Sequence, residues 1–537
     1  MSEEAVQTTR ADEPALSQRQ IMTVLVGLLM GLFLGALDQT IVSSAIRVIA
    51  DELHGQTAQA WITTAYLITS TISTPLYGKL SDIYGRKPLY LTAISLFLAG
   101  SLLCGLAGSI YQLAAFRAVQ GLGAGGLMSL GLTIVSDMVP PRERGRYQGY
   151  FMAVFGIASV IGPVIGGLFA GMDTFLGVDG WRWVFLVNLP FGLVAVAVVA
   201  KVLNVVSERV QHRVDYLGAA ALVVTLVPLL TVAEQGREWG WGSTLSLTMY
   251  GIGALGLVLF LLAERRMGAE ALLPLRLFRL PSFRLGNTLN FLVGIGMFGG
   301  LTTVPLYLQI VKGLDPTQAG LMLLPMSLGI GSTSGMVGKV VARTGRLKPF
   351  PIIGTALMAV SLFLLSRIGV DSSLVTLGLI TFVMGAGLGM LMQTLTLVVQ
   401  TDASQGDLGV ATGSVNLFRQ TGGTVGAATL LSILFSTVGD NIGTAMRAAA
   451  SSPEFLAALK DPAVRNDPVT RPYLEAVRDG QPMDLNDTSF LHHLDPRLAH
   501  PVLEGFADSM STVFITGGCV MVVAFALTWL LRNVRLD

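Results

Sequence analysis

Two charged residues stand where a bilayer-spanning chain tolerates few. Asp38 lies in the run Ile21–Val48, IMTVLVGLLMGLFLGALDQTIVSSAIRV, which carries no other charge before Arg47. Arg117 lies in a second apolar run, YQLAAFRAVQGLGAGG. A carboxylate or guanidinium inside a spanning helix costs at least a few kcal/mol unless it meets a partner or a wet cavity. A capping or snorkelling role is the plain alternative for Asp38. It sits roughly 15 Å from the end of its run by the helical rise, which is deep for snorkelling. Arg117 is roughly 9 Å into its own run, at comparable depth. A carboxylate that meets an arginine in apolar surroundings can take up and release a proton as that arginine or water moves, which is the chemistry of a proton-coupled step.

The elements that must hold these groups are membrane helices. The chain has 537 residues, 52% hydrophobic, and only 13% are charged, against about 25% in soluble domains. Apolar runs recur near 21–48, 58–77, 88–108, 111–136, 147–171, 183–203, 216–233, 245–263, 283–310, 317–341, 350–367, 372–397, 409–436 and 508–532. They predict an all-α integral membrane protein of about fourteen spans. A net charge of +1 names no nucleic-acid partner. Cys104 and Cys519 sit in apolar runs and predict free buried thiols. The residues 121–126 match G-x-G-x-x-G, but they fall inside one apolar helix with no strand before it, which rejects a dinucleotide site. No phosphate-binding G-x-x-x-x-G-K-[ST] occurs, and nothing points to covalent catalysis, a metal or a cofactor.

Lys and Arg set the orientation. With the N-terminus inside, inner loops and tails hold roughly 20 of them and the short outer loops about five, so both termini are placed in the cytoplasm. The division expected is a tail at 1–20, a six-helix bundle at 21–205, an inserted helix pair at 206–268 and a second six-helix bundle at 269–537. The Pro-rich segment 437–507 lies outside, either as a small cap over the exit path or as a loosely ordered loop. A weak repeat supports two halves. GKLSDIYGRKP at 78–88 matches GKVVARTGRLKP at 338–349, and each half then has a Gly-rich span, GLGAGG at 121–126 and GAGLG at 385–389.

In the first repeat, glycines allow a tight turn between packed helices, and Asp82 can pair across to a neighbour. This stretch resembles the loop signature of the major facilitator superfamily, which implies an inner-gate relay at Gly78, Asp82, Gly85 and Arg86; Ala342 replaces the acid in the second half. Arg117, Gln120 and Gly121 resemble the superfamily's Arg-x-x-Gln-Gly signature, where the arginine is implicated in proton coupling. Gly156, Gly162, Pro163, Gly166 and Gly167 resemble the helix that marks antiporters. LDQTIV at 37–42, WRWVFLVNLPFG at 181–192, DYLGA at 215–219 and RQTGGTVG at 419–426 are similar to the fourteen-helix drug:proton antiporters. The resemblance covers nearly the whole chain and implies a six-plus-two-plus-six fold of the major facilitator type.

The expected activity is proton-coupled export of hydrophobic or amphipathic compounds across a bacterial plasma membrane by a monomer, with Asp38 and Arg117 as the coupling residues and no enzymatic step. A dedicated exporter of one metabolite, antibiotic or lipid-like product is the alternative on the same scaffold; a non-transporting sensor has no use for a costly buried pair. Polar residues that could line the cavity are Tyr66, Gln120, Asn287, Asn290, Tyr307, Gln309, Gln393, Asn416, Arg419 and Gln420, each of which could instead serve a helix–helix hydrogen bond. The topology has a direct check. In intact cells, a thiol introduced by Ser452→Cys should react with a membrane-impermeant reagent and one introduced by Ser207→Cys should not; the reverse pattern ends the fourteen-span arrangement.

Overall fold

The first helix, α1 (Gln18–Glu52), has 35 residues, about 52 Å at the helical rise, and so crosses a ~30 Å hydrocarbon core with length to spare. In the computed structural model, α2 (Ala60–Tyr84), α3 (Arg86–Gly105), α4 (Ile110–Met138) and α5 (Pro141–Ala170) follow. A two-residue β-hairpin and a short helical turn then lead into α6 (Asn188–Val202). The helix pair α7 (Tyr216–Trp239) and α8 (Thr244–Met267) precedes α9 (Pro281–Leu306), α10 (Leu324–Thr344), α11 (Pro349–Leu365), α12 (Leu374–Thr401), α13 (Leu408–Ala449) and α14 (Pro496–Thr528). The structure describes residues 18–533 except 55–59, 204–214, 315, 405–406, 462–463, 465–469, 472–490 and 492–493.

Among the described residues, twelve helical stretches are long and apolar enough to cross a bilayer. The serine- and threonine-rich α2 and the shorter α11 bring the spans to fourteen. Hydroxyls in α2 bond back to their own helix, as when Thr74 donates to the Ser70 carbonyl at 2.8 Å, so a polar composition does not prevent burial.

Glycine stripes decide how the helices pack. A Cβ on Gly121 or Gly125 of α4 would run into the backbone of α2 at Tyr66 and Ser70, while Gly123 and Gly126 face Ala93, Phe97 and Tyr77. The second half repeats this: Gly385 and Gly389 of α12 meet the backbone of α10 at Met326 and Ile330, and Gly387 meets that of α11 at Gly354. Small residues let helix axes approach and trade side-chain contact for backbone contact, the packing that works where lipid supplies no hydrophobic drive. The two repeats also share their turns. Gly85 has φ 94° and Gly345 has φ 65°, a left-handed backbone that favours glycine.

Two expectations need correction. Residues 437–449, assigned above to the external segment, continue α13, whose 42 residues reach about 63 Å. Beyond them, Pro453–Lys460 forms a short helix capped by Ser452, and Phe455, Leu491, Leu498, Val502 and Phe506 are buried in the same core as α9–α14. Asn441 donates to Ser509 at 2.8 Å. The described part of this segment is therefore packed structure, because α13 and α14 both overrun the membrane and bury each other's apolar faces. Cys519, expected to be buried, is exposed on α14, whereas Cys104 is buried.

The antiporter-like glycines divide between two neighbours. Gly162 and Gly166 leave room for Thr40 and Ser44 of α1, Gly156 lies 3.3 Å (as a Cβ) from Ser327 of α10, and Gly167 faces open space. Gly162→Val should then cost about 1–3 kcal/mol by overpacking, visible as a lower melting temperature of the detergent-purified protein. Gly167→Ala should leave that temperature unchanged; equal losses in both would show that this glycine contact does not hold α5 to α1.

Candidate functional site

The helix α1 delivers Asp38 to a point where α2, α3, α4 and α6 converge. The hydroxyl of Thr40, two residues on, lies between the Leu37 carbonyl of its own helix at 2.9 Å and the Ala158 carbonyl of α5 at 3.0 Å. Asp38 is fully buried and Arg117 is 1% exposed. Arg117 Nη1 donates to Asp38 Oδ2 at 2.5 Å and to Gln120 Oε1 at 2.8 Å, and its Nε donates to the Ile62 carbonyl at 3.2 Å. The guanidinium carbon stands 4.1 Å from the centre of the Tyr66 ring, a cation–π contact in a dry environment. The other carboxylate oxygen, Asp38 Oδ1, accepts from Gln120 Nε2 at 2.8 Å and from Asn188 Nδ2 at 3.0 Å. Ser101 Oγ accepts from both amides at 3.0 Å and donates to the Phe185 carbonyl.

This is a nearly closed polar island in an apolar bundle. The pair removes net charge from the interior, and the neutral donors satisfy the remaining lone pairs of the carboxylate, which is what a buried ion pair requires. Gln120 and Tyr66, expected to line the cavity, instead complete this island. Ser101 and Asn188 were missed. Asn188 is the polar residue within VFLVNLPFG at 184–192, so a buried amide in that apolar run was the available signal; Ser101 carried none.

A second charged group lies where α2 turns into α3. Arg86 Nη1 reaches Asp82 Oδ1 at 2.5 Å, and Arg86 Nε reaches Asp137 Oδ2 at 2.7 Å. Asp137, at the end of α4, was also missed, because one acid near a helix end reads as a solvated charge. Gly78 and Gly409 bring α2 against the first turn of α13, where a Cβ on Gly409 would lie 2.6 Å from Asp82 Oδ1. A carboxylate at a helix N-terminus is favoured by the exposed N–H groups and the helix dipole. Nearby, Gln400 of α12 donates to Ser136 at 3.1 Å and to Thr412 at 2.8 Å. The two helical halves thus meet at this end through Asp82, Gly78, Gly409 and Gln400.

The remaining polar candidates separate by place. Tyr307 donates to the Gly369 carbonyl at 2.8 Å and so ties a π-helical stretch after α9, which also holds Gln309, to the loop before α12. Asn287 exchanges hydrogen bonds with Ser414 of α13, and Asn290 donates to its own helix at Gly286. Gln393 accepts from Ser334 at 3.1 Å, and Asn416 accepts from Arg419 at 2.5 Å. On the opposite flank, a cavity of about 250 Å³ lined by Val26, Leu29, Met30, Phe33, Val154 and Phe191 is almost wholly apolar. Among the described residues, no cluster of ligands suits a metal ion.

If the island is organised around charge pairing, Arg117→Met, which strands the carboxylate, should cost about 3–5 kcal/mol. Adding Asp38→Leu should recover part of that loss, because the double variant buries no unpaired charge. Chemical denaturation of the purified protein checks this, and strictly additive losses would count against a coupled pair.

The family described as Major Facilitator Superfamily matches residues 28–427. Over 96% of the chain and 93% of the relative's length, the sequence is 33% identical to the multidrug transporter protein MdtP of Bacillus subtilis. Over 60% of the chain and 92% of the relative, it is 40% identical to a tetracycline resistance determinant of Streptomyces rimosus. Among solved structures, the human organic anion transporter MFSD10 superposes with a TM-score of 0.60 at 15% identity, covering 95% of this chain and 99% of that one, a likeness of fold.

Proposed function

Since the chain belongs to the major facilitator superfamily, we propose that it is a proton-driven exporter of hydrophobic and amphipathic drugs in a bacterial plasma membrane, with both termini in the cytoplasm. The names of the relatives, a multidrug transporter and a tetracycline resistance determinant, support the drug-efflux part of this reading. One observation carries the proton part: Asp38 is completely buried and its charge is balanced by a single cation on another helix, Arg117.

The mechanism follows from that balance. While Arg117 touches Asp38, the carboxylate is neutralised and hydrogen-bonded and has no need of a proton. A shift of α4 relative to α1 that withdraws the guanidinium leaves a carboxylate in apolar surroundings, and protonation is the least costly way to neutralise it. The conformation therefore selects the protonation state, and the protonation state selects the conformation. Protons taken up from the outer side would drive the bundles at 21–205 and 269–537 to exchange accessible faces, and release to the cytoplasm would reset them. The contact of Asp82 and Gly78 with the start of α13 serves as the inner gate, since it must part whenever the α2–α3 end opens. The apolar recess beside α1 and α5 suits entry of a drug already dissolved in the membrane.

Asp38→Asn holds the side chain neutral, so it should abolish export driven by a pH gradient in reconstituted vesicles while substrate-for-substrate exchange persists. Asp38→Glu should keep part of the activity. Uphill export with proton counterflow in Asp38→Asn would remove Asp38 from the coupling step.

A further inference from the structure

The second half of the molecule contains a charge of the opposite kind. Arg419 lies in the first third of α13, inside the span, and among the described residues no carboxylate pairs with it; it donates to Asn416 Oδ1 at 2.5 Å. A guanidinium has five N–H donors in a rigid fork, so most of its donor capacity is uncommitted.

Contacts along α13 describe its surroundings. Gly409 and Gly413 press against α2, and Asn416 and Gln420 continue that stripe one and two turns further along. Thr412 bonds Gln400 of α12, and Arg419 lies two turns beyond Thr412 on the same stripe. The helix α12 runs antiparallel to α13, so Gln393, two turns back from Gln400, is at the level of Arg419. Arg419 is partly exposed; one and two turns further on, Gly422, Gly423 and Gly426 pack against α9 at Phe291, Phe298 and Ile295.

Unpartnered polar atoms of both kinds lie near that level, the acceptor Asn290 Oδ1 of α9 among them. Asn416 is 3% exposed and Gln393 2% exposed, yet Asn416 Nδ2 and Gln393 Nε2 have no partner; on the adjoining turn Gln420 Oε1 is an unmatched acceptor. A buried donor left unpaired costs about 1–3 kcal/mol, and a lone cation in a membrane helix costs more. An acid from the protein would relieve this, and the facing bundle's buried acids, Asp38 and Asp82, are already committed to Arg117 and Arg86.

We propose that Arg419, with the amide donors of Asn416 and Gln393, is the head-group subsite of the transport cavity, and that it takes the delocalised anion of an otherwise apolar substrate: a carboxylate, sulfonate or enolate. A planar fork with flanking N–H groups matches two anionic oxygens and discriminates against cations by charge. This rests on the export reading above and adds the substrate class to it.

Two probes with one aromatic body separate the ideas: 8-anilinonaphthalene-1-sulfonate, an anion, and the neutral N-phenyl-1-naphthylamine, with ethidium as the cation. In proton-loaded vesicles the wild type should prefer the sulfonate. In Arg419→Gln the ratio of kcat/KM for sulfonate over neutral probe should fall at least tenfold, chiefly through KM, and Arg419→Lys should restore part of it. The sulfonate should raise the melting temperature of the wild type and of Arg419→Lys, but not of Arg419→Gln. Preference for ethidium or the neutral probe, or an unchanged ratio in Arg419→Gln, would overturn the anion subsite and leave the export reading standing. Failure of the wild type to move any of the three under a pH gradient would overturn both.

Discussion

The arrangement depends on the cost of a charge away from water. Neither Asp38 nor Arg117 could remain ionised alone at this depth, and together they do so only because Gln120 and Asn188 supply the other donors to the carboxylate. A buried ion pair adds little net stability over an apolar core of the same volume. It therefore contributes a dependence: five helices must keep one relative position for the charges to stay balanced. A membrane bundle held by uniform apolar contact could slide by small steps at small cost, whereas one that carries this pair has a defined state and a defined penalty for leaving it.

Delivering the pair requires helices closer together than ordinary side chains permit. Gly121 and Gly125, which continue the face of Arg117, let α2 come near enough for the Ile62 carbonyl and the Tyr66 ring to meet the guanidinium. Gly162 and Gly166 do the same for α1 against α5, and Gly100 seats against Gln120. The glycines that look like simple packing marks are the reason that a polar network spanning several helices has bond-length precision. The same rule explains the gate, where Gly78 and Gly409 set two backbones in contact and so place Asp82 at the first turn of α13.

Much of this was legible because membranes punish exceptions. A charge within an apolar run stands out, so Asp38 and Arg117 were identifiable one at a time, and their similar depth made a meeting of the two reasonable. The repeated turn with Gly85 and Gly345 was legible because a left-handed backbone needs glycine. What was not legible are neutral partners. Ser101 and Asn188 belong to residue types that occur throughout spans, and nothing local distinguishes an amide that serves a carboxylate from one, like Asn287, that joins two helices. The partner of Tyr307 was hidden for the same reason: it is a loop carbonyl that no pattern announces. The length of α13 was hidden because its polar outer turns read as loop until α14 is seen packed on them.

The halves are alike in packing and unlike in charge, and the difference is informative. Gly121 and Gly385 hold corresponding places, each pressed on the backbone of the second helix of its half. One turn earlier stands Arg117 in the first half and Thr381 in the second. The turn that carries Asp82 in the first half carries Ala342 in the second. The duplicated scaffold has thus kept its glycines, which both halves need in order to pack, while its ionisable groups are concentrated on one side. A proton-responsive network needs a closed, dry setting in which neutralisation governs position. A ligand subsite needs the reverse, polar atoms left unsatisfied until the ligand arrives, and the second half supplies them in Arg419, Asn416 and Gln393. Two such settings could not share one island, because a carboxylate within reach of Arg419 would quench it. Placing them on facing bundles lets each alter the balance of the other only through the movement of the interface between them.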